Sequence, residues 1–503
     1  MSGFWLIALG AVPLVGSVAV AVLPSAREKA IKQLTLAFTL ATLVVGIIVA
    51  AQYHPSGPRF QGTLSYSWIK PFGVSFAVGI DGIALVMLLL IVVLLPVVVI
   101  AAWNDETPGN RSPKAFFAWL LALEVMMVGV FVATDVFLFY VFFEAMLVPM
   151  YFLIGGFGGP RRQYAAMKFF LYSLLGGLVM LAAVITLYFA SPSHSFAFAK
   201  LVGNVDPGYQ KLLFLGFFFA FAIKAPLVPF HTWLPDAGSE APIGGAVLLV
   251  GVLDKVGIFG FLRYCLPLFP DASRYFAPLV LVLAVIGILY GAIVAVGQRD
   301  MKRLVAYTSI AHFGFIALGV FAFTSQGGSG AVLYMVNHGL ATGLLFIIVG
   351  ILITRGKSRL IGDYGGVGQV TPWMSGVFLF AGLAALALPG LSTFVGEFLT
   401  LLGTFTVHRT YAVLGTIGMI FAALYVLWMY QRVFHGPTQD KVRHFKDLTG
   451  REAWAVAPLL VLILFLGVYP KPVLDVINPA VKATLHDVGK TDPAPSAVSG
   501  GKK

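Results

Sequence analysis

The chain has 503 residues, of which 59% are hydrophobic and 11% are charged, against roughly a quarter charged in an average soluble domain. This composition excludes a soluble globular protein, because no compact core could bury so much apolar surface. The net charge of +12 comes from Lys and Arg residues spread over short loops rather than gathered on one face, which disfavours a nucleic-acid-binding protein.

The chain is therefore predicted to be an all-α polytopic membrane protein. A bilayer core about 30 Å thick takes about 20 apolar residues per helical span. Apolar runs bounded by Pro, Gly and charged residues predict about fourteen transmembrane helices, at residues 3–23, 31–51, 79–102, 114–133, 135–154, 165–190, 211–231, 239–265, 275–297, 300–323, 330–354, 371–406, 410–433 and 453–473. The first run has no Lys or Arg before it, so we expect a retained span rather than a signal peptide.

Basic residues predict the orientation of these helices. With the N-terminus outside, the loops on the inner side carry Arg27, Lys29, Lys32, Arg111, Lys114, Arg161, Arg162, Lys168, Arg299, Lys302, Arg303, Arg355, Lys357, Arg359, Arg432, Lys441, Arg443, Lys446 and Arg451. Because basic loops stay on the cytoplasmic side, both termini are predicted to face outward, to the periplasm. The Ala-, Gly- and Val-rich composition favours a bacterial plasma membrane.

Two predicted spans, the seventh and the twelfth, contain prolines near their middle, in segments 221–230 and 387–397. Proline removes a backbone donor and clashes with the preceding turn, so both helices should break inside the membrane. Broken helices at corresponding places in two halves are typical of inverted repeats around a polar midplane site.

These breaks predict a division of the chain into five parts. Helices 1–3 occupy residues 1–113, and two inverted five-helix repeats follow, with helices 4–8 at 114–265 and helices 9–13 at 275–435. Helix 14 and its flanking loop occupy 436–480, and residues 481–503 form a disordered polar tail.

Ionisable residues lie in the middle of several predicted spans. They are Glu124, Glu144, Lys224, Asp254, Lys255, His312, His338 and Glu397. A charged side chain at a helix centre costs about 2.5–3.5 kcal/mol on insertion scales. A structural ion pair or a helix–helix hydrogen bond explains any one of them. The whole set instead favours a proton path, since carboxylate, ammonium and imidazole groups can each exchange protons near neutral pH.

We predict that Glu144 forms an ion pair with Lys224, and that breaking this pair leaves Lys224 ready to release its proton. Lys255 and the two histidines would pass the proton on, and Glu397 would release it outward. Asp254 and Glu124 are weaker candidates. Adjacent helical residues point about 100° apart, so Asp254 is also explained as compensating a neighbouring helix, and Glu124 as a second partner for a lysine.

No sequence motif indicates a cofactor or a metal in this chain. Cys265 is the one cysteine, which excludes an internal disulfide and a four-cysteine iron–sulfur cluster. Segment 350–358 has one residue too many between its glycines for a phosphate-binding loop, and no paired-cysteine or His-Glu-x-x-His zinc motif occurs.

Several segments resemble the antiporter-like membrane subunits of respiratory complex I, especially the one called subunit M in bacteria and subunit 4 in mitochondria. They are Gly79-Ile-Asp-Gly82, Phe143-Glu-Ala-Met-Leu-Val-Pro149, Lys224-Ala-Pro-Leu-Val-Pro-Phe-His-Thr-Trp-Leu-Pro-Asp-Ala237, Gly251-Val-Leu-Asp-Lys-Val-Gly257, Asp300-Met-Lys-Arg-Leu-Val-Ala-Tyr-Thr-Ser-Ile-Ala-His-Phe-Gly314, Asn337-His-Gly339 and Phe394-Val-Gly-Glu-Phe398. Together they extend over most of the chain.

The resemblance implies a fourteen-helix fold with two inverted repeats and broken helices 7 and 12. It also implies that the family's proton-transfer positions are Glu144, Lys224, Lys255, His312, His338 and Glu397. Glu397 is the most specific of them, because subunits L and N and the sodium/proton antiporter relatives typically have lysine there. Asp254 replaces an apolar residue found in many relatives.

The resemblance further implies a proton-translocating component of NADH:quinone oxidoreductase, driven by redox chemistry in partner subunits. NADH, FMN, iron–sulfur clusters and quinone would bind in those partners and not in this chain. Subunits L and N would lie on either side of it, with membrane lipid around it and no nucleic acid.

Three alternatives remain open at this point. The nearest is a subunit of a multisubunit cation/proton antiporter or of a membrane-bound hydrogenase, which share the fold; Glu397 disfavours it. A secondary transporter for an organic solute would need a roomy midplane cavity. A passive scaffold would tolerate neutralisation of Lys224 or Glu144.

Overall fold

The computed structural model describes residues 1–104 and 112–493. Arg111 of the predicted inner loop and the last ten residues of the predicted tail lie outside the described residues. Within the described ranges, twelve helices are long and apolar enough to cross a membrane, so the predicted all-α polytopic fold is confirmed. The exact number of spans and the inverted repeats stay predictions.

Short connections join most of the helices and strands along the chain. The elements are α1 (Phe4–Val22), α2 (Glu28–Gln52), β1 (Gln61–Ile69), β2 (Val74–Ile80), α3 (Gly82–Ala101), α4 (Pro113–Val132), α5 (Val136–Ala145), α6 (Leu147–Phe157), α7 (Arg162–Phe189), α8 (Phe198–Leu201), α9 (Pro207–Lys224), α10 (Trp233–Glu240), α11 (Ile243–Leu248), α12 (Lys255–Gly260), α13 (Leu266–Leu268), α14 (Pro270–Val296), α15 (Met301–Phe321), α16 (Ser325–Gly356), α17 (Pro372–Ala385), α18 (Ser392–Phe405), α19 (Arg409–Phe434), α20 (Gly450–Val468) and α21 (Lys471–Asp487). π-helical turns at Leu249–Leu253 and Phe261–Cys265 join α11, α12 and α13 into one rod.

Burial divides these helices into a central and a peripheral group. Helices α15 and α16 and the rod α11–α13 are almost completely buried, whereas α1, α2 and α20 expose most of their apolar residues. A helix that is apolar on all sides and exposed on one of them faces lipid. The central group therefore lies away from lipid, where polar side chains can find partners.

Both predicted helix breaks are present. Helix α9 ends at Lys224 and α10 begins at Trp233, while α17 ends at Ala385 and α18 begins at Ser392. The indole Nε1–H of Trp233 donates to the carbonyl of Ile223 at 2.9 Å, which satisfies one of the last carbonyls of α9 that the break leaves without a helical partner.

An antiparallel hairpin of β1 and β2 precedes α3, and the sequence analysis did not predict it. Leu64 pairs with Val78 and Tyr66 with Phe76. The hairpin is tied to the helices through Asp135, whose carboxylate accepts from the Ser75 amide at 3.0 Å. The predicted third span, 79–102, therefore begins too early, since α3 starts at Gly82.

The predicted start of the disordered tail at residue 481 is wrong, because α21 continues to Asp487. Ile477, Val481 and Leu485 are buried, and their spacing of four residues places them on one face of a helix. This face lies against α3 and α16. At its C-terminal end, Asp487 forms an ion pair with Arg59, just before the hairpin.

Glu240, the last residue of α10, is a buried ion-pair centre beside the segments of Arg161 and Arg359. Its carboxylate accepts two hydrogen bonds from Arg359 at 3.1 Å and one from the Arg161 amide at 3.0 Å. Removing one partner of a buried ion pair typically costs about 3–5 kcal/mol. We therefore expect Glu240→Ala to lower the free energy of unfolding by about 3 kcal/mol, measured as a lower unfolding temperature in detergent.

The matched control is Asp440→Ala, which removes the exposed ion pair that Asp440 forms with Arg443 at 3.2 Å. Exposed pairs contribute little, so this variant should unfold at the wild-type temperature. Equal unfolding temperatures for the two variants would contradict the structural role of Glu240.

Candidate functional site

Lys224 lies at the break of the seventh span, as the last residue of α9. Its side chain is 1% exposed, and Nζ lies 5.0 Å from the ring centroid of Phe143 and 5.5 Å from that of Phe169. The C-terminal end of a helix carries partial negative charge and aromatic faces attract cations. The break and the two rings thus form an apolar chamber around Lys224 Nζ, in which the helix end and the rings offset only part of the cost of burying its charge.

Glu144 lies beside this chamber, one residue before the end of α5. The span is interrupted there because Pro149 cannot donate a helical hydrogen bond to the carbonyl of Ala145. The Glu144 carboxylate lies so close to Gly177 of α7 that a Cβ at position 177 would overlap it. Gly177 therefore provides the space that the carboxylate occupies.

The predicted direct ion pair between Glu144 and Lys224 is not formed in the structure. Glu144 Oε1 and Lys224 Nζ are both buried without a hydrogen-bond partner among the described residues. The reason is the direction of the side chains, since the ammonium faces the rings of Phe143 and Phe169 while the carboxylate is directed at Gly177. In this structure, the Glu144 carboxylate and the Lys224 ammonium are therefore separated.

Lys255 is the centre of a second cluster, directly after the π-helical turn at Leu249–Leu253. Its Nζ donates to the carbonyl of Val250, lies 3.0 Å from Asp254 Oδ1 and lies 2.6 Å from His338 Nδ1. All of these groups are buried. The suggestion that Asp254 compensates a neighbouring helix is wrong, because its carboxylate pairs with the adjacent Lys255.

Two histidines on neighbouring helices continue this cluster. The rings of His338 on α16 and His312 on α15 meet edge to face, with centroids 5.1 Å apart. Ala385, at the end of α17, lies near the His312 ring, whose two nitrogens have no hydrogen-bond partner among the described residues. The histidines therefore connect Lys255 to the break of the twelfth span.

Glu397 lies on the other side of that break, in α18, and is 4% exposed. The hydroxyl of Tyr334 on α16 donates to Glu397 Oε2 at 2.6 Å. The Asn337 side chain donates to the carbonyl of Ser392 at 2.5 Å, which ties the start of α18 to α16. The sequence analysis missed Tyr334, although it precedes His338 by four residues and so shares its helix face.

Glu124 stands apart from these clusters. It is fully buried in α4, and both of its carboxylate oxygens are without a hydrogen-bond partner within residues 1–104 and 112–493. In the described part of the chain, no ion pair joins Glu124 to a lysine. The suggestion that Glu124 is a second partner for a lysine is therefore not supported.

The Lys224 chamber and the Lys255 cluster adjoin where α12 crosses the break of α9. A Cβ at Gly257 would lie 2.5 Å from the Phe221 carbonyl oxygen and 2.6 Å from the Ala225 amide. Gly260 faces the ring of Phe221 in the same way. Only residues without side-chain bulk permit this approach, and the two backbone groups at the crossing are paired with each other, since the Ala225 amide donates to the Phe221 carbonyl at 2.7 Å.

Among the described residues, no group of three or more His, Cys, Asp or Glu side chains is placed to hold a metal ion. The two clusters instead bring together groups that bind and release protons. Lys255, His338, His312 and Glu397 are neighbours in space although they come from four helices, and Glu144 and Lys224 share a separate chamber.

Comparisons with known proteins give consistent similarities. A family model described as "NADH:quinone oxidoreductase/Mrp antiporter, TM" matches residues 133–424. A protein of Mycobacterium tuberculosis (strain ATCC 25618 / H37Rv) described as "NADH-quinone oxidoreductase subunit M" is 50% identical, over 98% of this chain and 96% of that protein.

Two solved structures have the same fold. One chain of respiratory complex I from Thermus thermophilus with bound NADH gives a TM-score of 0.88 at 33% identity, covering 96% of this chain and 100% of that chain. One chain of the Mrp complex from Dietzia sp. DQ12-45-1b gives a TM-score of 0.82 at 20% identity, covering 96% and 98%. The second similarity concerns the fold alone.

Proposed function

Because this chain belongs to the family of NADH-quinone oxidoreductase subunit M, we propose that it translocates protons across the membrane as a subunit of NADH:quinone oxidoreductase. It is then a component of a redox-driven translocase. NADH, FMN, the iron–sulfur clusters and quinone bind in partner subunits, and this chain itself binds no cofactor.

The observation that carries this proposal is the buried line of titratable groups through the central helices. Lys255 and His338 are 2.6 Å apart, the rings of His338 and His312 are 5.1 Å apart, and Glu397 accepts a hydrogen bond at 2.6 Å from Tyr334. Ionisable groups at membrane depth are costly and mark ion pathways. A line of them suits a proton better than a larger solute.

In the proposed cycle, protonated Lys255 gives a proton from Nζ to Nδ1 of His338. His338 passes it to His312, and Glu397 receives it and releases it to the outer side. Lys255 contacts His338 and the two histidine rings meet edge to face, whereas no hydrogen bond joins either histidine to Glu397 among the described residues. The Asp254 carboxylate lies 3.0 Å from Lys255 Nζ and stabilises the ammonium until the transfer.

The Lys224 chamber supplies Lys255 and is controlled by Glu144. When Glu144 approaches Lys224, the ammonium is stabilised by its opposite charge. When the two separate, as in the structure, Lys224 stays in an apolar chamber that disfavours its charged form, and it releases its proton. Redox chemistry in the partner subunits would drive this change.

The surroundings of the chain follow from its family and its loop charges. We place it in a bacterial plasma membrane with both termini outside, between subunits L and N and in contact with lipid. We also retain the two inverted repeats at 114–265 and 275–435, because each contains one broken helix beside a buried titratable cluster.

A cavity of about 910 Å³ gives no support to a transporter for organic solutes. It lies among the inner helix ends, lined by residues that include Phe116, Ile243, Lys302 and Arg359. None of the midplane titratable groups lines it.

The second candidate function is a subunit of a multisubunit cation/proton antiporter or a membrane-bound hydrogenase, and the fold similarity to the Mrp complex favours it. Glu397, where those antiporters typically have lysine, is against it. Purification of the native assembly decides between them. NADH- and quinone-reactive partners would support the proposal, and antiporter subunits alone would overturn it.

Gly177→Ala tests the position of Glu144 without changing a charge. The added Cβ would overlap the carboxylate and force it to move. We expect proton translocation in reconstituted vesicles to fall about tenfold, less than the hundredfold or more that a positioned acid–base group contributes, because the carboxylate is displaced and not removed. The control is Gly376→Ala in α17, where a Cβ would meet no atom within 4 Å. Equal rates in both variants would argue against a role for the Glu144 position.

A further inference from the structure

The path from the histidines to Glu397 has one gap. Among the described residues, no hydrogen bond or ion pair joins His312 or His338 directly to Glu397. Proton transfer needs groups within hydrogen-bond reach or joined by one water. Another side chain must therefore complete this step.

Tyr334 occupies the gap. Its side chain is fully buried, its hydroxyl donates to Glu397 Oε2 at 2.6 Å, and its ring centroid lies 5.9 Å from that of His312. Tyr334 therefore contacts both His312 and Glu397.

The backbone around Tyr334 is held in place from α18. A Cβ at Gly396, the residue before Glu397, would lie 2.8 Å from Tyr334 Cα. The hydrogen bond from Asn337 to the Ser392 carbonyl fixes the same pair of helices one turn further along. The Tyr334 hydroxyl and the Glu397 carboxylate are thus set by two helices in direct contact.

We propose that Tyr334 carries the proton between His312 and Glu397. This inference rests on the proposed function. The proton on the His312 ring moves through one water to Tyr334 Oη as the hydroxyl proton moves to Glu397 Oε2. One N–H and two O–H bonds break and three O–H bonds form, so the water and the phenol both stay neutral.

The test uses the assembled complex in vesicles. Tyr334→Phe keeps the ring and removes the hydroxyl, and we expect proton translocation coupled to quinone reduction to fall at least tenfold. The control is Tyr364→Phe, which removes a buried hydroxyl that donates to the Ser358 carbonyl at 2.6 Å, outside the path; it should keep the wild-type rate. A Tyr334→Phe rate above half of wild type would overturn the proposal.

A second measurement separates proton transfer from packing and serves if Tyr334→Phe fails to assemble. Difluorotyrosine at position 334 keeps the hydroxyl and nearly the same shape but makes the phenol more acidic. The alkaline limb of the pH profile should then move to lower pH, because an ionised phenol cannot donate to Glu397. An unchanged profile would mean that Tyr334 only packs.

Proton translocation by Lys224→Met, measured in parallel, distinguishes failure of the Tyr334 inference from failure of the proposed function. If Lys224→Met abolishes translocation while Tyr334→Phe does not, the Tyr334 inference fails alone. If both variants translocate protons at the wild-type rate, the proposed function fails as well.

Discussion

Replacing Lys255 with methionine is expected to stop proton translocation and to slow coupled quinone reduction by about a hundredfold, the lower end of the range for positioned acid–base groups. Lys255 Nζ is the one atom that contacts Val250, Asp254 and His338 together. Without it, the Lys224 chamber loses its route to the histidines. The measurement is acidification of vesicles that contain the assembled complex, with NADH oxidation by an artificial acceptor as the check on the partner subunits.

The single variant leaves Asp254 as a buried carboxylate without its counter-charge, which typically costs 3–5 kcal/mol. Asp254→Asn combined with Lys255→Met removes both charges and should restore assembly without restoring translocation. Lys471→Met is the control, because Lys471 pairs with Asp475 at an exposed site. Translocation at the wild-type rate in the double variant would exclude Lys255 from the path.

Neutralising Glu144 or Lys224 should each lower translocation about tenfold, and the double variant should be no worse than either one. If the two groups work as one switch, the second substitution removes a function that is already lost, so the effects do not multiply. Glu144→Gln, Lys224→Met and the combination are compared by translocation rate at saturating NADH and quinone.

The comparison of the single and double variants also tests whether Glu144 and Lys224 work as one switch. A double variant near a hundredfold slower than wild type would show independent roles and contradict the switch. Lys200→Met, on the short helix α8, is the control, because it removes one positive charge away from both clusters. Its rate of proton translocation should equal that of wild type.

Much of the fold was predictable because the bilayer requires long apolar runs. The breaks at Lys224 and before Ser392 were predictable for a second reason, since proline cannot continue a helix. The hairpin at 61–80 was not predicted, because short alternating segments between apolar runs give a weak signal. Helix α21 was misjudged as a tail from residue 481 because its polar face dominates its composition.

The titratable residues of the candidate site were predictable, but their contacts were not. Composition and depth single out Lys255 and His338, whereas their 2.6 Å contact depends on the π-helical turn before Lys255. The separation of Glu144 from Lys224 depends on side-chain direction, which helical periodicity does not determine. Tyr334 was missed because a tyrosine in an apolar helix looks like ordinary packing.

The apolar crossing of α12 and α9 bears on how the membrane stores energy. A proton that crosses against the membrane potential carries about 2.3 kcal/mol per 100 mV, and an unbroken hydrogen-bonded chain from side to side would let that energy leak away. Gly257 and Gly260 pack closely against Phe221 between the Lys224 chamber and the Lys255 cluster, and Lys224 Nζ has no hydrogen-bond partner among the described residues. In the proposed cycle, this interruption would keep the two sides of the membrane electrically separate between turnovers.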